Sequence, residues 1–203
     1  MKTSLRVSLN ASPDEAAKLR QLQAVFAKVC NALAPTVQKT KVWNRVALHH
    51  MAYKPLREQF PQVGSQMVCN AIYSVSRHSR LLFQNPQSPF NIARLGTRPL
   101  PLLRFTDRAP VYFDRHTLSI RDGRLSMYTL DGRLCFDVGL KPDDEAMFRD
   151  KRLREVVLSR AGAERDRFEL AFAFSDKDDD EPQGHHASSE LPEYMLVEEI
   201  DEA

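Results

Sequence analysis

The sequence predicts an α+β protein: a small antiparallel β-barrel with an inserted helical lobe, followed by an acidic C-terminal tail read as disordered. Three observations predict it. Residues 3–9 and much of 111–175 alternate apolar and polar side chains, the period of a strand with one buried face. Between them, residues 12–83 repeat their apolar positions every three to four residues, the period of a helix buried along one side. Charge then changes sign: residues 1–175 hold 28 Lys+Arg and 16 Asp+Glu, a net of +12, and residues 176–203 hold 1 and 11, a net of −10.

In chain order, Leu5, Val7 and Leu9 alternate with Ser4, Arg6 and Ser8 in the first strand. Ser12-Pro13-Asp14-Glu15 is a capping box with proline at the first helical position, where a missing N–H costs nothing. Leu19, Leu22, Phe26, Val29 and Leu33 continue that helix, which is expected to stop before Pro35. Residues 41–60 form a second helical segment, with Val42, Val46, His49, Tyr53, Leu56 and Phe60 on the buried face and a break or kink at Pro55. Ser65 caps a third helix from about Gln66 to Phe83, buried along Val68, Ile72, Val75, Ser79 and Leu82.

Residues 84–110 carry five prolines and few periodic apolar positions, so they read as an extended connector, studded with Arg94, Arg98, Arg104 and Arg108. Two Asp-Gly pairs, Asp122-Gly123 and Asp131-Gly132, each flanked by alternating apolar residues, predict a meander of at least three strands. Residues 142–155 are a charged loop or short helix, and residues 156–174 one more hairpin through Phe168, Leu170, Phe172 and Phe174. Pairing the first strand with these later ones gives the barrel. The expected divisions are 1–10 (first strand), 11–91 (helical lobe), 92–175 (rest of the barrel) and 176–203 (acidic tail, in which residues 194–200 have the composition of a short strand).

With 203 residues and 42% apolar side chains the chain has enough material for a core. No apolar run approaches the roughly 20 residues that span a bilayer, and the N-terminus lacks a secretory apolar stretch, so the expected setting is cytoplasmic with no membrane partner. Cys30, Cys69 and Cys135 lack C-x-x-C spacing, and His185-His186 has no spaced companion, which argues against a disulfide framework and against a metal site. No glycine loop for phosphate and no nucleophile–base pair stands out, so no catalytic residue and no cofactor is expected.

The basic excess points to a polyanion. Residues 1–135 hold 20 basic and 7 acidic groups, 14 of the former arginine, whose planar fork of donors suits phosphate. In the second helical segment Lys41, Trp43, Asn44, Arg45, His50, Lys54 and Arg57 interleave cations with an aromatic, a mixture suited to bases and phosphates, although Trp43 can equally serve as a core anchor. On the third helix Gln66, Asn70, Ser74, Arg77 and His78 line the edge opposite the apolar face. An ordinary solvated face has the same composition.

This layout resembles the N-terminal half of the TnpB family of transposon-encoded, RNA-guided nucleases, which are related to type V CRISPR effectors. The resemblance is carried by V-C-N (Val29, Cys30, Asn31), then by Trp43-Asn44, Leu48-His49-His50 and Tyr53-Lys54-Pro55-Leu56-Arg57. It continues through Phe60, Pro61, Ser65, Gln66 and the N-A-I-x-x-V that follows, the strand Val111-Tyr112-Phe113-Asp114-Arg115, and R-F-E-L-A-F-A-F at 167–174. It implies an OB-like wedge domain with recognition helices that grip a guide RNA and its DNA target. It also implies that the start of the third helix reads a short DNA motif, with Gln66 and Asn70 on bases and Arg77 on phosphate. Where the family has G-I-D-x-G, opening a RuvC nuclease, this sequence has Glu199-Ile200-Asp201-Glu202-Ala203. A two-metal nuclease needs several converging acids, so the expectation is a nuclease-deficient protein binding a structured, guide-like RNA, with an RNA–DNA duplex or double-stranded DNA as further ligand. It would act alone or beside a separate nuclease subunit. The alternative is an adaptor whose acidic tail docks on a basic partner or masks its own basic face.

Overall fold

The structure is a computed structural model and describes residues 3–161, 167–175 and 191–200. In chain order the elements are β1 (Thr3–Leu9), α1 (Pro13–Thr40), α2 (Arg45–Gln59), α3 (Ser65–Phe83), α4 (Ile92–Leu95), β2 (Leu102–Phe105) and β3 (Val111–Phe113). There follow β4 (Leu118–Arg121), β5 (Arg124–Thr129), β6 (Gly132–Asp137), α5 (Pro142–Asp150), β7 (Arg152–Arg160), β8 (Phe168–Ser175) and β9 (Met195–Glu198). The class is α+β and every strand pairing is antiparallel. Among the described residues no helix is long and apolar enough to cross a membrane. The chain divides into two units, Met1–Gln23 with Pro110–Gln183 and Ala24–Ala109 with Gly184–Ala203, the first division falling inside α1.

The first unit is built on a four-stranded sheet ordered β1-β8-β7-β3. Alternation in β8 drives Phe168, Leu170, Phe172 and Phe174 into its core, each at most 1% exposed. From α5, Phe148 meets Phe172 and Phe174 edge-on at 5.2 and 5.0 Å. The meander β4-β5-β6 forms a separate three-stranded sheet. Asp122 and Gly123 both take positive φ, 51° and 70°, the requirement of a two-residue hairpin turn that follows the strand twist. In the second hairpin Leu130 and Asp131 make the turn, and Gly132, at φ 87°, opens β6 opposite Thr129 in a conformation that suits glycine.

The expected barrel does not form: none of the sheets closes. Strand β3 has only three residues and pairs on one side with Val156–Leu158, and the meander satisfies its own ladder through two tight turns. With β1 and β3 at opposite edges, nothing in the four-stranded sheet joins them.

The second unit holds α1 from Ala24 onward, α2, α3, α4 and a two-stranded sheet, β2 with β9. Helix α1 runs past Pro35 to Thr40, contrary to the expected stop, because Leu33, Ala34 and Val37 are all buried and keep the apolar face continuous through the proline. The helix ends instead at Lys41, whose φ of 57° is the left-handed conformation of a helix terminus and whose N–H bonds the Val37 carbonyl. Asn31 of α1 donates to the Phe105 carbonyl at 2.9 Å and accepts from the Phe105 N–H at 2.7 Å, pairing with β2 as a neighbouring strand would.

Candidate nucleic-acid interface

Helix α2 begins because Asn44 caps it, its side-chain oxygen accepting from the Val46 and Ala47 N–H groups at 2.9 and 3.2 Å. Its buried face is Leu48, Ala52 and Leu56, spaced at four; of the face read from the sequence Leu56 and Phe60 are buried, whereas Val46 and His49 are exposed and Val42 and Tyr53 half-buried. The two faces differ by one residue in register, about 100° around a helix. Val46 is consequently 64% exposed and Met51 40%. Trp43 is half-buried, its ring 5.4 Å from that of Phe83 while its carbonyl accepts from Ser76 Oγ at 2.6 Å, so the linker before α2 is tied to α3. Trp43 acts there as an anchor.

The turn leaves Lys41, Arg45, His50 and Lys54 exposed and Arg57 half-buried. The Arg45 guanidinium lies over the Tyr73 ring, 5.4 Å from its centroid, and Arg57 donates to the Val63 carbonyl. His49 and Tyr53, one turn apart, stack with centroids at 4.7 Å and planes 16° from parallel. The apolar pattern puts His49 and Tyr53 on the buried side; the Leu48–Ala52–Leu56 spacing is the one signal in α2 for the opposite turn.

Helix α3 departs more from expectation. Val68, Ile72, Val75, Ser79 and Leu82 are buried, but so are Asn70 (6% exposed), Ser74 and His78 on the supposed wet edge. Gln66 and Arg77 are half-buried. The Asn70 amide contacts Met67 Sδ at 3.6 Å. His78 is closed in by β2 and the chain leading into β9: its ring meets Phe105 and Tyr194 edge-on, and its Nε2 lies 2.9 Å from the Tyr194 hydroxyl. With Nδ1 2.8 Å from the Ser74 carbonyl, which only accepts, Nδ1 carries a proton and donates; in the neutral ring Nε2 then accepts from Tyr194. The edge is polar because it is hydrogen-bonded inside the unit. Gly64, rather than Ser65, is the capping residue.

The remaining arginines lie on the connector. Arg94 and Arg98 are exposed around α4, with Arg98 donating to the carbonyls of Leu95 and Arg94. Arg104 on β2 pairs with Glu198 of β9 at 3.3 Å, both side chains about half-exposed. Residues 24–109 contain 12 Lys+Arg and 2 Asp+Glu, Glu58 and Asp107, a net of +10. A stretch this one-sided sets up a positive field beyond any single contact.

Among the described residues no three His, Cys, Asp or Glu side chains gather as metal ligands would. His185, His186 and Asp201 lie outside the described residues. Cys30 is buried and its thiol is pushed up to about 12 by that burial, against a smaller lowering by Ser74. No protein-family model matches the chain, and no curated protein matches it.

Proposed function

We propose that this chain is a nucleic-acid-binding protein that holds a structured, guide-like RNA on its basic helical unit, without catalysing a reaction itself. The observation that carries this reading is the charge of residues 24–109, net +10 with Lys41, Arg45, Lys54, Arg94 and Arg98 exposed. Cations spread along a helix and the connector after it suit a phosphate backbone, which carries a regular row of negative charge. The resemblance to the TnpB family agrees with RNA as the first ligand and makes a DNA target, double-stranded or paired with the RNA, the second. The chain then works as a site-bound repressor or as one subunit of an effector whose nuclease is a separate chain.

The test is a titration of labelled, structured RNA with the purified full chain at several salt concentrations. About four phosphate contacts should weaken binding on the order of 50- to 150-fold between about 50 and 200 mM salt, the smaller figure for single strands and the larger for duplex. Absence of binding, or affinity indifferent to salt, would sink the proposal.

One observation favours a second reading, in which the acidic C-terminal segment masks the basic face. Strand β9 lies along β2 and brings Glu198 to Arg104, so a carboxylate already occupies one of the cations that phosphate would use.

A further inference from the structure

Phosphate contacts leave part of the α2 surface unexplained. Arg45, His49 and Tyr53 form one row at four-residue spacing, and Val46, His50 and Lys54 form the row beside it. His50 meets His49 edge-on at 6.1 Å while His49 stacks on Tyr53. His49 and His50 are exposed and Tyr53 half-exposed, with Val46 and Met51 on the flanks. A helix face that only meets water is typically charged or polar, and apolar or aromatic side chains belong to the opposite, buried face. This one has a single acid, Glu58, at its far end.

We propose that the His49–Tyr53 stack is a platform for unpaired bases of single-stranded RNA, with Arg45 and Lys54 at its two ends to hold the flanking phosphates. The inference rests on the nucleic-acid reading above and narrows it to a strand whose bases are free. Two parallel rings extend a column of stacked bases, and every base offers a π face, so the contact tolerates any sequence. Bases inside a duplex are already stacked on one another and cannot reach the rings. The positive surroundings select a polyanion over a neutral apolar peptide. An acidic peptide would pair with Arg45 and Lys54 yet has no use for rings held parallel.

The test compares the full-length wild type with Tyr53→Leu, Tyr53→Phe and Lys54→Gln. The ligands are a single-stranded RNA of about ten nucleotides, within the usual span of such sites, and a duplex of the same length. Tyr53→Leu should weaken single-strand binding by about ten-fold, the usual worth of one stacked base, and leave the salt slope unchanged because no charge is removed. Tyr53→Phe should restore it, and Lys54→Gln should instead flatten the slope by about one phosphate contact. Duplex binding should be indifferent to Tyr53→Leu. A 2-aminopurine base in the single strand should be quenched by the wild type and by Tyr53→Phe, and not by Tyr53→Leu. Salt-dependent binding of wild type and Tyr53→Leu with equal affinity would overturn the platform while leaving the nucleic-acid reading standing. Binding of neither RNA by the wild type would overturn both. If Tyr53→Leu loses a protein partner and keeps its RNA affinity, the platform is a protein-docking face and the proposal fails.

Discussion

Asn31 and Cys30, adjacent on α1, show two uses of a side chain in the same core. Asn31 supplies an amide that pairs with both backbone groups of Phe105, completing one edge of β2 without a further strand. Cys30 fills volume, its thiol donating only a weak bond to the Ala71 carbonyl at 3.9 Å. Burial holds its thiol neutral, raising it from 9.0 to about 12. In the unfolded chain the thiol ionises above pH 9.0, whereas in the folded chain it stays protonated to about 12. The stability this provides is therefore complete below pH 9.0 and is lost as pH climbs toward 12. Each pH unit in that window should remove up to about 1.4 kcal/mol. Urea unfolding of wild type and Cys30→Ala at rising pH should show their stability difference shrinking from pH 9.0 upward. A constant difference would mean the thiol ionises freely in the fold.

At the scale of the element, α1 and α2 each contain a proline, Pro35 where the sequence predicts a stop and Pro55 where it predicts a break or kink. Both helices continue because burial on either side of the proline outweighs the lost hydrogen bond: Leu33, Ala34 and Val37 around Pro35, Ala52 and Leu56 around Pro55. In α2 the carbonyl that Pro55 cannot serve belongs to Met51, which is 40% exposed and within reach of water. Pro55 itself is exposed. Replacing it by alanine should restore that hydrogen bond and raise the free energy of unfolding by about 2 kcal/mol, the cost of an interior proline less the unfolded-state entropy it saves, and so raise the denaturation midpoint. A lower midpoint in Pro55→Ala would show that α2 depends on the proline ring for packing.

At the scale of the whole molecule, a net charge of +2 conceals a basic stretch at residues 24–109 and an acidic one beyond 175. Within the helical unit, β9 joins the two: Met195 is buried, Tyr194 bonds His78, and the backbone ladder with β2 leaves Glu198 facing Arg104. Exposed pairs of this kind contribute at most about 1 kcal/mol to folding. Glu198→Gln should thus keep β9 in place while freeing Arg104. RNA affinity should rise a few-fold and the salt slope should steepen by about one phosphate contact. Identical affinity and slope in Glu198→Gln would dispose of the masking reading.

What the sequence by itself determined was the α+β class, the strand faces and the turns, because these follow from local rules. Period-two alternation buried Phe168 to Phe174, Asp122-Gly123 accepted positive φ, and Ser12 to Glu15 capped α1. The apolar stripe of α3 was legible for the same reason. Tertiary structure decided how many sides of each helix are covered, since periodicity marks the most apolar face but not whether a second partner encloses the polar one. Thus Asn70 and His78 are interior, His78 enclosed by Phe105 and Tyr194 from distant parts of the chain. The turn of α2 that exposes His49 and Tyr53 was likewise illegible, because Val46–His49–Tyr53 and Leu48–Ala52–Leu56 are comparable helical stripes and only packing chooses between them. Sheet closure was decided the same way, by the three-residue length of β3 and by a meander whose strands pair only with one another.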